Sequence, residues 1–226
     1  AVTRHAGRIA SVAGERVFDE LGKMITRPTA ADALLLADRL GLAEAVLPEL
    51  FAAEVWERAI ARVDYVADRR DHTLAFAALL CDLPPDALRG VIRRWGAPNA
   101  LRDAVLWTHA HLGEWANAGE LPLCEFKRRV ASDHWQRLRV LWRFEEQRAT
   151  GRDTRSRRAA SRAGRIPPDR IAPEPLVTGA DLIEMGLRPG PGVGTTLKQL
   201  YDEQLNETLH TRADALARAR ELTDGA

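Results

Sequence analysis

Apolar residues along this chain recur three and four positions apart. In "GERVFDELGKMI", Val17, Leu21 and Met24 fall on one helical face, with Phe18 and Ile25 beside it. "TAADALLLADRLGL" repeats the theme, with Thr29 placed to cap its start and Gly41 standing where a helix ends. Further helical patterns cover residues 55–67, 73–80, 87–95, 99–115, 125–130 and 134–147. Nothing alternates with the period of two that a half-buried strand requires. Gly-Pro punctuation ("LPPD", "GAPN", "GELPL") keeps the elements short. The pattern predicts an all-α fold, a multi-helical array of short helices, with a smaller helical module at the C-terminal end.

That module is set off by "RATGRDTRSRRAASRAGRIPPDRIAPEP". Between residues 152 and 170, seven arginines (Arg152, Arg155, Arg157, Arg158, Arg162, Arg165, Arg170) face two aspartates, Asp153 and Asp169. Large apolar residues are almost absent, so composition predicts a linker or mobile surface arm. Beyond it come "TGADLIEMG", a glycine loop, "TTLKQLYDEQLNETL" and "TRADALARARELTDG". The expected organisation is residues 1–50, 51–149, a linker at 150–175, and a tail at 176–226.

Composition narrows the partners. At 226 residues with a formal net charge of +1, the chain has no global drive towards polyanions, so a nucleic-acid surface has to be local. The basic segment is that locality: it carries a net +5 in a chain whose remaining residues sum to −4. Two cysteines, Cys81 and Cys124, build no disulfide framework and no CxxC pair, which suits a reducing cytoplasm. No apolar run approaches the ~20 residues of a bilayer span. The chain opens without Met, in helix-like sequence, and is expected to be a piece of a longer protein.

Enzyme motifs are poorly supported. "GLRPGPGVGTTLKQL" lacks the Lys that a Walker A loop needs directly after its last glycine, and no strand precedes its Gly190 and Gly192 to make a dinucleotide fingerprint. What remains is helix, glycine turn, helix. Thr178 and Asp181 form a capping-box-like start, and Gly186 marks the end of the first helix. The N–H groups from Gly192 to Thr195 then open a second helix, whose partial positive charge suits a phosphate. A tight αα turn that requires small residues explains the same glycines. "HTLAFAALLCDL" resembles an HD metal-hydrolase helix but has Cys81 where the His before Asp82 belongs. His109 and His111, two apart on a helix, point about 200° away from one another and cannot share a metal. No D-x-D occurs, and neither cysteine has a neighbouring His. No catalytic or metal residue is assigned. Lys127, Arg128 and Arg129 read as a short solvated basic turn.

Two segments carry a family resemblance. "GERVFDELGKMI" followed by "LLLADRLGLAEAVLPEL" resembles the neck–body junction of class II tRNA nucleotidyltransferases, the bacterial CCA-adding enzymes and their poly(A) polymerase relatives. Glu15, Arg16, Glu20, Leu21, Gly41, Leu42, Leu47, Pro48, Glu49 and Leu50 match it. At the other end, Thr178, Gly179, Asp181, Leu182, Gly186, Leu187, Pro189, Gly190, Pro191, Gly194 and Leu197 match that family's tail. The middle matches only in helical character. The family's G-G-x-V-R-D loop, D-x-D and E-D-x-x-R motifs do not occur here. The resemblance therefore implies the part that holds RNA, tRNA in the first instance, with Mg²⁺ and ATP or CTP belonging to a catalytic head upstream and no cofactor in this stretch. On that reading the RNA-binding residues are Arg155, Arg157, Arg158, Arg162 and Arg165 of the arm, with Gly190, Gly192, Gly194, Thr195 and Lys198 of the glycine end. The rivals are a helical interaction domain without RNA and a degenerate HD-type hydrolase.

Overall fold

The computed structural model describes residues 12–52 and 55–224 and is helical, with no strand among them. Of the segment expected as 1–50, residues 1–11 lie outside the described residues. The chain divides into two units, residues 1–116 with 136–156, and residues 117–135 with 157–226. The tail module is thus larger than the sequence suggested: it takes in residues 117–135 and most of the arginine segment.

The first unit opens with α1 (Gly14–Ile25), α2 (Ala30–Arg39), α3 (Leu42–Val46), α4 (Pro48–Ala52) and α5 (Trp56–Val66). It continues with α6 (His72–Leu80), α7 (Pro85–Arg94) and α8 (Asn99–Leu112). Every residue of α6 from Leu74 to Leu80 is buried, so this helix is the centre against which α1, α5 and α8 pack. A Cβ at Gly22 would stand 2.5 Å from His72 Nε2, so any larger residue there requires the His72 ring to move. Phe18 stacks on Phe76 at 4.8 Å between ring centres, and Trp95 meets Phe76 edge-on at 5.9 Å. Asp71 caps α6 by accepting the Leu74 N–H at 2.9 Å. Thr29 sits at the N-cap of α2 as expected, but its side chain makes no capping bond.

A buried charge cluster ties α5 to α10 (Trp135–Thr150). Arg62 is fully buried; its Nε and Nη2 both donate to Glu145 Oε1, at 2.8 and 2.6 Å. Its Nη1 donates to Ala78 O at 3.0 Å and to Asp82 Oδ2 at 3.1 Å, and Arg58 adds a second donor to Asp82 at 2.8 Å. Two cations thus meet two carboxylates, which is the condition for keeping charge inside a helical core.

The second unit holds α9 (Leu123–Ala131), α12 (Pro168–Ile171), α13 (Gly179–Glu184), α14 (Pro191–Leu205) and α15 (Arg212–Asp224), and most of α11 (Thr154–Arg165). Val177, Leu182, Leu200, Ala215 and Ala219 form its small core. The capping box is present: Thr178 Oγ1 accepts from Asp181 N–H, and Thr178 N–H donates to Asp181 Oδ2 at 2.7 Å. Gly186, at φ 99°, ends α13 in a conformation open to glycine.

The arginine segment is helical, where composition predicted an unstructured stretch. Residues 154–165 are the helix α11, with Ala159 fully buried and Ser156 nearly so. Its start is held by Glu146 of α10, whose carboxylate accepts Arg155 N–H at 2.8 Å, Ser156 N–H at 2.7 Å and Ser156 Oγ–H at 2.7 Å. Alanines supply the packed face in place of large apolar residues, so a chain poor in Leu and Val still has something to bury. No helix among the described residues is long and apolar enough to cross a membrane.

Candidate nucleic-acid interface

Four of the five arginines of α11, Arg155, Arg158, Arg162 and Arg165, are spaced three, four and three residues apart. At 100° per residue this gathers Arg155, Arg158, Arg162 and Arg165 into an arc of about 80°, and at 1.5 Å per residue they span about 15 Å. Arg157 leaves this stripe, two residues and about 200° from Arg155. The buried face, marked by Ser156 and Ala159, lies beside the stripe, so Arg158 and Arg165 stand in solvent. Arg162 lies along the protein instead: its guanidinium is 4.2 Å from the centre of the Phe126 ring, and Nη1 donates to Gly119 O at 3.2 Å. Partial burial lowers its pKa from the ordinary value. Arg155 is placed 6.0 Å over the Trp115 ring. Aromatic support of this kind fixes a guanidinium without neutralising it.

The glycine end is the first turn of α14. Pro191 has no N–H, and the Val193 N–H is taken by Gly190 O at 3.2 Å, so the row of open amides is shorter than the sequence suggested. Thr195 Oγ1 turns back to Pro191 O at 3.2 Å, and Lys198 pairs with Asp202 at 3.4 Å. The tight-turn explanation of the glycines does not hold at two of them. Gly192 and Gly194 have no positive φ, and a Cβ at either would meet nothing within 4 Å. A helical glycine costs about 1 kcal/mol relative to alanine, and the chain's own packing gives no reason for that cost here.

Both elements rest on the same helix, α9. Arg162 of α11 covers Phe126, while Arg128 of α9 pairs with Asp202 of α14 and lies 5.6 Å over the Tyr201 ring. The Lys127–Arg129 stretch is therefore not the solvated turn its composition suggested. Lys127 is 1% exposed and donates to Glu207 Oε1 at 2.9 Å. Nothing in the local sequence marks this: a single lysine among charged neighbours on a short helix reads as surface.

The HD-like stretch is engaged in the buried charge cluster of the first unit. Asp82 of the HD-like stretch is occupied by Arg58 and Arg62, and Cys81 is a buried thiol that desolvation pushes up to about 12. His109 Nδ1 lies 2.7 Å from Cys81 O, and His111 Nδ1 lies 3.1 Å from Glu114. No group of three or more metal-ligating side chains occurs among the described residues.

A separate feature belongs to the first unit. Val17, Leu21, Met24, Leu34, Leu42 and Val46 line an apolar groove of about 670 Å³ between α1, α2 and α3, with Arg16, Asp19 and Glu20 also on its walls. Leu35 and Leu36 of α2 are exposed, at 40% and 55%.

Residues 1–54 match the family model described as the probable RNA and SrmB-binding site of polymerase A. That relates the segment to poly(A) polymerase-like proteins. No curated protein matches the chain. Within the described residues, the polymerase A segment comprises α1 to α4, and it contributes every residue that lines the groove except Trp56. The arginine helix and the glycine end lie beyond it.

Proposed function

We propose that this chain is the RNA-holding helical region of a protein that adds nucleotides to RNA 3′ ends, of the poly(A) polymerase or CCA-adding type. The observation that carries this reading is the match of residues 1–54 to the polymerase A model. The arginine helix α11 supports it from outside that segment, as part of a stretch that carries a net +5 in a nearly neutral chain. Arginines and a helix N-terminus address phosphates and sugars rather than base edges, so the grip is on the backbone and indifferent to sequence. The RNA we assign is tRNA. The transfer reaction, with Mg²⁺ and ATP or CTP, is assigned to residues outside these 226.

The test is fluorescence anisotropy of the whole chain with a labelled tRNA and two single strands of unrelated sequence. Binding is expected in the micromolar range of non-specific contacts, with affinities for the two single strands within about threefold of one another. A hundredfold preference for one strand overturns the backbone grip, and no binding of any RNA at about 50 mM salt overturns the RNA reading. Incubation with tRNA lacking its terminal adenosine, Mg²⁺ and labelled ATP is expected to give no incorporation; incorporation would place the chemistry inside this chain.

A further inference from the structure

We propose that a pocket in the second unit, walled by Lys127, Arg170 and His210, binds a phosphate group whose place the carboxylate of Glu207 holds in the free protein. The pocket measures about 260 Å³, and Pro173, Leu176, Gln204 and Leu209 complete its wall. That is just below the size of sites for drug-sized ligands, and it suits a phosphate with one attached sugar.

The argument starts from the cost of Lys127. Its side chain is 2% exposed, on a helix whose other buried positions are Cys124 and Phe126. Burying an ammonium is expensive, and an apolar residue of similar volume usually serves a fold as well or better. The charge is kept by Glu207, which is itself half open to solvent at 40%. Glu207 Oε1 takes Lys127 at 2.9 Å, while Oε2 faces Arg170 at 3.9 Å. Its two oxygens therefore bridge two cations as two oxygens of a phosphate do. Glu207 does this from φ 60°, a conformation uncommon for residues other than glycine, asparagine and aspartate. The hydrogen bond from Lys127, and after it the Lys127 charge, holds the Glu207 carboxyl below the usual range, so it is an anion at neutral pH. Two cations, Lys127 and Arg170, against one carboxylate leave the pocket net positive. Arg170 is 61% exposed and only loosely engaged, which leaves it able to close on an entering anion.

The source of the phosphate rests on the RNA reading; the pocket itself does not. The measurement is a titration of the whole chain with inorganic phosphate, with AMP and with a labelled single-stranded RNA carrying a 5′-hydroxyl, repeated for Glu207→Gln, Lys127→Met and Arg170→Gln. Circular dichroism checks that each variant is folded. Removing the resident anion is expected to tighten phosphate binding about three- to tenfold in Glu207→Gln, because a like charge within a few ångströms is lost. Lys127→Met and Arg170→Gln are expected to weaken it by similar factors. If the RNA responds and the free phosphates do not bind, the ligand is a backbone phosphodiester; if AMP and inorganic phosphate respond, it is a terminal phosphate. Binding of inorganic phosphate without any RNA binding would sink the RNA reading and leave the pocket standing. Should Glu207→Gln bind no tighter than the parent, or Arg170→Gln be unchanged, the Lys127–Glu207 pair is a structural ion pair and the pocket is not a phosphate site, whatever the RNA does.

Discussion

Glu146 is the residue on which the arginine helix depends. Its side chain belongs to α10, yet it accepts the Arg155 and Ser156 amides and the Ser156 hydroxyl, all within 2.8 Å. Glu146 is 2% exposed and Ser156 is 8% exposed, so water does not replace these bonds when they are lost. Hydrogen bonds to a charged acceptor contribute about 1.5–3 kcal/mol, and an N-cap about 1 kcal/mol. Glu146→Gln keeps the shape but turns an N–H₂ group towards donors, and it should cost about 1.5–3 kcal/mol. For a chain of this size that is a fall of about 3–12 °C in melting temperature. Hydrogen exchange at residues 157–162 should rise at the same time, because α11 loses its anchored start. The loss should also depend on pH. Burial alone would raise the Glu146 carboxyl, but the bonds from Arg155 and Ser156 outweigh it and hold the pKa below the ordinary value. A depressed folded-state pKa means that the unfolded chain binds the proton more tightly, so the stabilisation is complete above the unfolded value, near 4.3, and is lost as pH falls through the folded one. The gap between the parent and Glu146→Gln should therefore be widest near pH 7 and close in acid. A variant that melts with the parent at pH 7, or a gap as wide in acid as at pH 7, would refute the capping account.

The buried cluster of the first unit gives a second prediction: Arg62→Ala should destabilise by about 3–5 kcal/mol in urea denaturation, since it strands Asp82 and Glu145, and a loss below 1 kcal/mol would mean that the carboxylates find other partners. At the glycine end, Gly192→Ala should stabilise the chain by about 0.5–1 kcal/mol, because the position is helical and open; destabilisation would show that the turn does need a glycine. Gly192→Asp should leave the melting temperature within a few degrees but weaken RNA binding, by placing negative charge where a phosphate would lie; unchanged binding would make the α14 start a turn and nothing more.

The helices were legible wherever large apolar side chains carried the period. Leu21 and Ile25 pack one face of α1, Thr178 and Asp181 form the cap their spacing announced, and Gly186 ends the helix it was expected to end. Residues 154–165 were not legible, for two reasons that go together. Their buried face is made of Ala159 and Ser156, which composition does not count as core, and their cap comes from Glu146, on the preceding helix. A segment rich in arginine and poor in leucine has the composition of a mobile arm, although its partners lie close by. Lys127 failed in the opposite direction. Its burial follows from Glu207, some 80 residues later and in a left-handed backbone conformation that no local rule assigns to glutamate. The stripe of Arg155, Arg158, Arg162 and Arg165 became visible only once the segment was a helix, since the seven arginines of the linear stretch show excess charge but no face.

The most direct test of the account is the salt dependence of RNA binding. The logarithm of the association constant should fall linearly with the logarithm of salt concentration, by about 0.7 for each single-strand phosphate neutralised. Replacing Arg155, Arg158, Arg162 and Arg165 together by glutamine removes up to four such contacts, so the slope should flatten by about 2–3 while Glu146 still holds the helix. A slope that matches the parent's within about 0.5, in a variant whose α11 amides remain protected from exchange, would contradict the claim that this helix holds the RNA backbone.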